Sequence, residues 1–554
     1  MKKHRTPLFE LVTFIGIVLL WIMFKPQFDT NDDTGLLNYI AGYQTGTPEV
    51  VPYVMCVPYT FMISRLYMLT SNIPWYIVSF MILLAVSVMT IVHAVLVKSR
   101  GVFAYIGFAV LSATLYGHLL INIQYTTVAA MCGAGAFAAA SCIEKNNLDK
   151  FFELLAFALL FFSVNIRYQV GCVALVVILL YYVKEFILTR SKKFICDGAI
   201  IIGVVIATLG INTAYLNISE GWQEFVDLNT ARAIWNDYAH LQYGENEEIY
   251  NSVGWDESLY NLAEAYMCAE ENLNTNAYIV LNSLNHSTLR PLKVRIKNAF
   301  VDMLSNHKYW IRCLIVWLIF FFSMIWKVFY EKKMRKKDVV FAMAYSACMI
   351  GLYVALFFYF CFIGRTMSRI MYFIIALTVT PGYISMLEVY SASGEWLTNR
   401  IISCLSGFVI LAMSFLFVKS GLETMLSLYG RDYQASNSMY DYVINHPGQF
   451  FLYDISCSWP TDPFRTYKDP PNNACFWGGW LWGSPLSHKQ LETNGMTECF
   501  LTTMLEDDKY FIGSQQCAEL LDDYYSSRHV DVRYEVVDKG DDWIIYSFSN
   551  HGDT

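Results

Sequence analysis

Residues 8–46 read LFELVTFIGIVLLWIMFKPQFDTNDDTGLLNYIAGYQTG. The first seventeen of these carry a single charge, Glu10, and with their flanks they approach the roughly 20 mostly apolar residues that cross a bilayer. The run then breaks at Lys25 and Pro26 and delivers Asp29, Asp32 and Asp33 just beyond the membrane surface. A basic flank, MKKHR, gives the run the outline of a signal peptide, but residues 15–28 offer no A-x-A-like cleavage site, so it reads as a retained anchor.

The rest of the chain repeats the apolar pattern. Over 554 residues, 55% are hydrophobic and 16% charged, with a mean hydropathy of +0.37, against about 45–50% and about 25% in soluble domains. The expected fold class is an α-helical polytopic membrane protein with about eleven transmembrane helices. They fall near 8–24, 75–97, 102–121, 126–143, 151–164, 170–183, 195–215, 309–328, 339–363, 369–389 and 400–418. A net charge of −8, with no basic stripe beyond the short loops, argues against nucleic-acid binding.

Short loops on one side, among them EKKMRKKD at 331–338, hold eighteen Lys and Arg; those on the other hold five. Positive charge stays cytoplasmic, so the expectation is a plasma-membrane protein with a cytoplasmic N-terminus and an extracytoplasmic C-terminal segment. Residues 50–70 are apolar but interrupted by Pro52, Pro58 and Arg65. They read as an amphipathic or re-entrant piece on the outer surface, because a full span there would turn every later loop inside out.

Three pieces lie outside the membrane: the outer loops 25–74 and 216–308 of a transmembrane domain spanning 1–418, and a segment 419–554. Long loops are usually functional. The second carries apolar residues at helical spacing, for example in ESLYNLAEAYMCAEENL. The third reads as a small α/β domain, with QFFLYDI, DKYFIG, DVRYEVV and DWIIYSFS as strands and CAELLDDYYSS as a helix. Its Trp459, Trp477, Trp480 and Trp482 suit the membrane interface or a core better than a sugar-stacking surface. Cys457, Cys475, Cys499 and Cys517 allow two disulfides in three pairings or four free thiols, and no metal-ligand cysteine spacing is present.

Three groups of residues could carry chemistry. Asp29, Asp32 and Asp33 have i, i+3, i+4 spacing, which on a helical turn brings them to one face. Crowded carboxylates repel and spread their pKa values unless a cation, proton or substrate compensates; the plainer alternative is a helix N-cap. Arg167, Arg365 and Arg369 stand at outer ends of spans, where arginine faces a cavity, a partner or lipid headgroups and its planar fork suits phosphate. In FVDLNTARAIWNDYAH, Asp227, Arg232, Asp237 and His240 surround an expected helix at Thr230 to Ala239, which reads equally as a solvated face. Asn217 and Asn285 sit in N-x-S sequons, which matter only in a eukaryotic secretory pathway. Walker, H-E-x-x-H and G-x-S-x-G motifs are missing, so nucleotide hydrolysis, metalloprotease and standard serine-hydrolase chemistry are not signalled.

This assembly resembles the GT-C superfamily of polytopic membrane glycosyltransferases: a cytoplasmic N-terminus, acids at Asp29, Asp32 and Asp33 after the first span, an outer loop with an interfacial segment, many spans and a C-terminal outer domain. It departs from several members in lacking a W-W-D signature, which disfavours an oligosaccharyltransferase. The resemblance implies transfer of a sugar from a polyprenyl-phosphate donor to a glycan, lipid or protein acceptor hydroxyl on the outer face. It implies Asp32 or Asp33 as general base with Asp29 in support, and Arg365, Arg369 and Arg167 as phosphate contacts. Arg232 and Asp237 are further substrate-binding candidates. No cofactor is called for, and a divalent cation among the three acids stays open. The competing reading is a transporter or flippase for a lipid-linked or soluble envelope precursor, whose expected paired halves and mid-membrane charges are not evident.

Overall fold

A computed structural model describes residues 5–99, 102–143, 149–267, 270–288, 291–305, 308–330, 336–392, 434–455, 462–496, 500–540 and 543–550, with Lys419, Glu423 and Cys457. The first span, α1 (Arg5–Phe24), leads through a two-residue strand, β1 (Gln27–Phe28), to two short helices, α2 (Asn31–Ile40) and α3 (Val57–Leu69). The spans α4 (Trp75–Lys98) and α5 (Val102–Leu111) follow. The latter runs through one π-helical turn, Ser112–Tyr116, into α6 (Gly117–Ile121), and β2 (Asn122–Ile123) returns beside β1. Next come α7 (Tyr125–Cys142), α8 (Asp149–Ile166), α9 (Tyr168–Thr189) and α10 (Lys193–Ile218).

The large loop is helical, as its periodicity predicts: α11 (Trp222–Asp237), α12 (Glu247–Ser252), α13 (Glu257–Glu264), α14 (Thr275–Thr288) and α15 (Leu292–Ser305). The helix expected at Thr230–Ala239 begins earlier, at Trp222, and ends at Asp237. The bundle then continues with α16 (Lys308–Tyr330), α17 (Lys336–Ile363) and α18 (Ser368–Ala392).

Among the described residues, eight helices are long and apolar enough to cross a membrane. Two more, α8 and α16, occupy expected spans; the former opens on DKFFE, whose three charges lower its hydropathy. The span expected at 400–418 lies outside the described residues. The 50–70 segment contains a helix of only 13 residues, α3. At about 1.5 Å per residue this covers roughly 20 Å, short of a roughly 30 Å hydrocarbon core, and it presents Phe61, Met68 and Leu69 outward, as a helix lying along the interface does.

The bundle is built around α7, whose sequence YTTVAAMCGAGAFAAASC is buried at every position. Small residues let backbones approach, which is how membrane helices gain packing without a hydrophobic drive between them. Packed against it are α4, α8, α9 and α18. A Cβ at Gly133 would lie 2.6 Å from the Ala174 Cβ and 2.8 Å from the Leu377 Cδ2, so two neighbours depend on that one glycine.

Towards the C-terminus, a five-stranded mixed sheet forms from β3 (Phe450–Tyr453), β4 (Ala474–Phe476), β5 (Lys509–Gly513), β6 (Val532–Lys539) and β7 (Ile544–Asn550), in the order β4-β3-β5-β7-β6. The first three run parallel, and the last two add antiparallel. Four strands and the helix Gln515–Ser527 match the expected α/β pattern. The fifth, β4, lies inside the Pro, Gly and Trp-rich stretch, where three residues give periodicity nothing to register. Cys475 and Cys517 are buried free thiols, and Cys457 is a half-buried one; Cys499 lies outside the described residues.

Candidate active site

The acids after the first span separate because of where α2 begins. The Asp29 backbone N–H donates to Ile123 O at 2.9 Å, which prolongs the β1–β2 pairing, and the Asn122 side-chain amide donates to the Asp29 carboxylate. Thr30 is extended at the N-cap and makes no side-chain capping bond. The helix therefore starts at Asn31, and Asp29 is not on it, so the three-acid helical face anticipated from spacing does not form. Only Asp32 and Asp33 occupy the first turn, where the helix dipole favours negative charge.

These two point different ways. Asp33 is 0% exposed and faces the bundle, where the Tyr76 hydroxyl donates to its Oδ1 at 2.9 Å and its Oδ2 has no hydrogen-bond partner. Burial pushes the Asp33 carboxyl well above the usual carboxylate range, the charge of Asp32 adds to the rise, and the Tyr76 hydrogen bond opposes it. Asp32 remains half-buried, with one oxygen on each of two partners. Its Oδ2 faces the Arg369 guanidinium at 3.6 Å, and its Oδ1 accepts the indole N–H of Trp480 at 3.1 Å.

The arginines arrive from span ends. Gly364, at φ +76°, turns the chain out of α17, a left-handed conformation that glycine adopts without steric cost, and sets Arg365 and Arg369 on either side of the α18 start. Arg365 pairs with Asp237 at 2.9 Å, lies over the Tyr238 ring, and keeps a buried Nε without a partner. At the N-cap of α9, Arg167 lies over the Tyr125 ring. Tyr125 interacts electrostatically with Arg167, Arg369, Asp32 and Asp33, so three sequence-distant segments meet there.

Arg232 serves differently from the other arginines. It is 4% exposed, and its guanidinium donates to Asn229 Oδ1, to Trp480 O at 2.9 Å and to Trp482 O at 3.4 Å. It clamps the loop that brings Trp480 to Asp32. Asp227 accepts from the exposed Gln223 amide, and His240 stacks on Trp235 and meets Glu264 at 3.0 Å. Among the described residues no group of three or more His, Cys, Asp or Glu is arranged to hold a metal ion.

Sequence reasoning did not single out Tyr76, Asn122 or Gln490, and it read Trp480 as interface or core. The usable signal for Trp480 was its setting in WGGWLWG: Gly478, Gly479 and Gly483 all adopt positive φ, and the turns they make leave Trp480 and Trp482 partly exposed. Trp477 is buried in the sheet domain, while Trp459 lies outside the described residues.

No protein-family model matches the chain, and no curated protein matches it. Two solved structures are similar over 97% of both chains: ArnT from Cupriavidus metallidurans bound to undecaprenyl phosphate, at 11% identity and TM-score 0.38, and the same protein in the apo state, at 10% identity and TM-score 0.39.

Proposed function

We propose that this chain is a membrane glycosyltransferase that moves a sugar from a polyprenyl-phosphate carrier to an acceptor hydroxyl at the end of the bundle that carries Asp32. The observation that supports this best is the setting of Asp32, a half-exposed carboxylate with a guanidinium on one oxygen and an N–H donor on the other. The excess of Lys and Arg in the loops of the opposite side supports an outward-facing position for that end, where a lipid-borne donor takes the place of a nucleotide sugar.

In this reading the acceptor O–H gives its proton to Asp32 as its oxygen attacks the anomeric carbon. The bond from that carbon to the phosphate oxygen breaks, and its electron pair leaves with the polyprenyl phosphate. A positioned general base contributes typically 10²–10⁴ in rate. Arg369 and Arg365, with Arg167 nearby, stabilise the charge growing on the leaving phosphate; the unpartnered Nε of Arg365 is a donor ready for such an oxygen. Asp33, buried against Tyr76 with its pKa pushed up by burial, braces the start of α2 instead of taking the proton. Asp29 fixes the approach through Asn122, Arg232 positions Trp480, and Asp237 orients Arg365.

The test is transfer or slow hydrolysis of radiolabelled undecaprenyl-phosphate sugars by the purified chain in nanodiscs. Asp32→Asn is expected to remove turnover by at least a hundredfold while donor binding persists. Full turnover in Asp32→Asn refutes the assignment of the base.

A further inference from the structure

Beside Asp32, on its Oδ1 side, lies a cleft between the first outer loop and the sheet domain. Its floor is Asn31, Asp32 and Gly35 of α2, and its far wall is the loop Gly478–Trp482 with Ile455. Both wall segments leave the carboxyl ends of parallel strands, β4 and β3. The chain runs from β3 to β4 on one side and then to β5 on the other, so β3 is a point where strand order reverses, and ligands of parallel sheets bind outside the carboxyl ends at such points.

Gln490 makes this cleft more than a gap. It lines the cleft and is 5% exposed, its Oε1 accepts the Tyr39 hydroxyl at 2.6 Å, and its buried Nε2 has no hydrogen-bond partner. A buried amide donor left unpaired is costly, and a ligand oxygen is what would satisfy it. Charge narrows the ligand. Among the described residues the lining holds the Asp32 carboxylate, amides, hydroxyls and the rings of Phe476, Trp480 and Trp482, but no Lys, Arg or His, so its charge does not favour an anionic group.

We propose that this cleft is the acceptor subsite, and that it takes a neutral polyhydroxylated ligand, a sugar ring, with one hydroxyl oxygen on Gln490 Nε2 and another hydroxyl facing Asp32. The proposal rests on the reading of Asp32 as general base. A carboxylate oxygen accepts more than one hydrogen bond, so Trp480 and a substrate hydroxyl share Oδ1, and the indole N–H orients the lone pair that receives the proton.

The experiment is saturation-transfer NMR on the full chain in nanodiscs with four probes, the methyl glycosides of glucose, galactose, mannose and N-acetylglucosamine, and with inorganic phosphate as the anionic control. Two variants address Gln490. Gln490→Glu keeps an acceptor for Tyr39 and loses the donor; Gln490→Met loses the amide without adding charge. Wild type is expected to bind at least one glycoside saturably and more tightly than phosphate, and both variants, if their melting temperatures stay near wild type, to bind it at least tenfold more weakly. No binding by any glycoside, equal binding in either folded variant, or tighter binding of phosphate at this cleft overturns the proposal. Normal donor turnover in Asp32→Asn combined with Gln490-dependent glycoside binding would remove the assignment of the base and leave the cleft standing.

Discussion

Adjacent carboxylates on one helical turn have opposite surroundings. Asp32 stays partly exposed beside a guanidinium and an indole N–H; Asp33 is closed off from solvent and accepts a tyrosine hydroxyl. Because burial raises the Asp33 pKa in the folded chain, the folded state binds a proton there that the unfolded state releases above about pH 4. The stability from that proton is fully present below the unfolded pKa and is lost as pH rises through the folded one. Asp33→Asn mimics the protonated acid and keeps an oxygen for the Tyr76 hydroxyl. Thermal unfolding in detergent should therefore show wild type losing stability relative to Asp33→Asn as pH increases from about 4; parallel curves for the two proteins would rule out a titrating Asp33. That acids crowd the stretch after the first span was legible in NDDTG. That Asp32 and Asp33 have different surroundings was not, because the division depends on Tyr76, Trp480 and Arg369, 43, 448 and 337 positions away from the acid each one contacts, and no local pattern encodes such pairings.

Elements of this fold obey two different rules, one for lipid and one for water. The spans were readable because every backbone group in hydrocarbon must bond within its own helix, so hydropathy alone marks them. The central α7 goes further: its run of Gly, Ala, Ser and Cys states in sequence that it is enclosed on all sides. Gly133→Val should lower the melting temperature more than any single Val substitution on the lipid face of α10, since Ala174 and Leu377 already occupy the space; equal, small shifts would mean that α7 is not the packing centre. The Trp loop was harder to read. Its position depends on the left-handed glycines and on Arg232, which donates to two of its carbonyls. Gly479→Ala forces a side chain into φ +79°, a strain of roughly 1–2 kcal/mol, and moves Trp480 away from Asp32. We expect a lower turnover together with a changed tryptophan emission, and an unchanged emission spectrum would show that the glycine does not hold the loop.

At the scale of the whole molecule, the two ends of the bundle are built for different purposes. Opposite the acids, Lys98 of α4 and Lys184 of α9 converge on Glu388 of α18, both ammonium groups almost wholly buried, with Lys184 at 2.6 Å. This ties three spans together at the end away from Asp32 and Asp33. Glu388→Gln leaves Lys184 with Glu185 at 3.1 Å and Lys98 with the Tyr181 hydroxyl at 3.4 Å, so the variant should melt at a lower temperature through the loss around Lys98, removal of one partner of a buried ionic pair being destabilising; a melting temperature unchanged in that variant would mean that Glu388 does not hold the three spans together. At the end that carries the acids, the sheet domain is drawn onto the loop after α1 by Trp480 on Asp32, Gln490 with Tyr39, Gln44 on Ala474 O and Lys489 with Glu49. Sequence announced both partners of that interface, an acidic loop and a small α/β segment, but not that they meet, because their contacts join residues more than four hundred positions apart.

The central claim is that Asp32, and not its neighbour, takes the acceptor proton. It is tested most directly by one assay of radiolabelled sugar release from undecaprenyl-phosphate donors in nanodiscs, run on wild type, Asp32→Asn and Asp33→Asn. We predict turnover by wild type, turnover within a few-fold of it by folded Asp33→Asn, and loss of at least a hundredfold in Asp32→Asn. Turnover that survives in Asp32→Asn and disappears in a folded Asp33→Asn would contradict the account, and no turnover by wild type with any donor would turn the reading towards transport of the lipid-linked molecule.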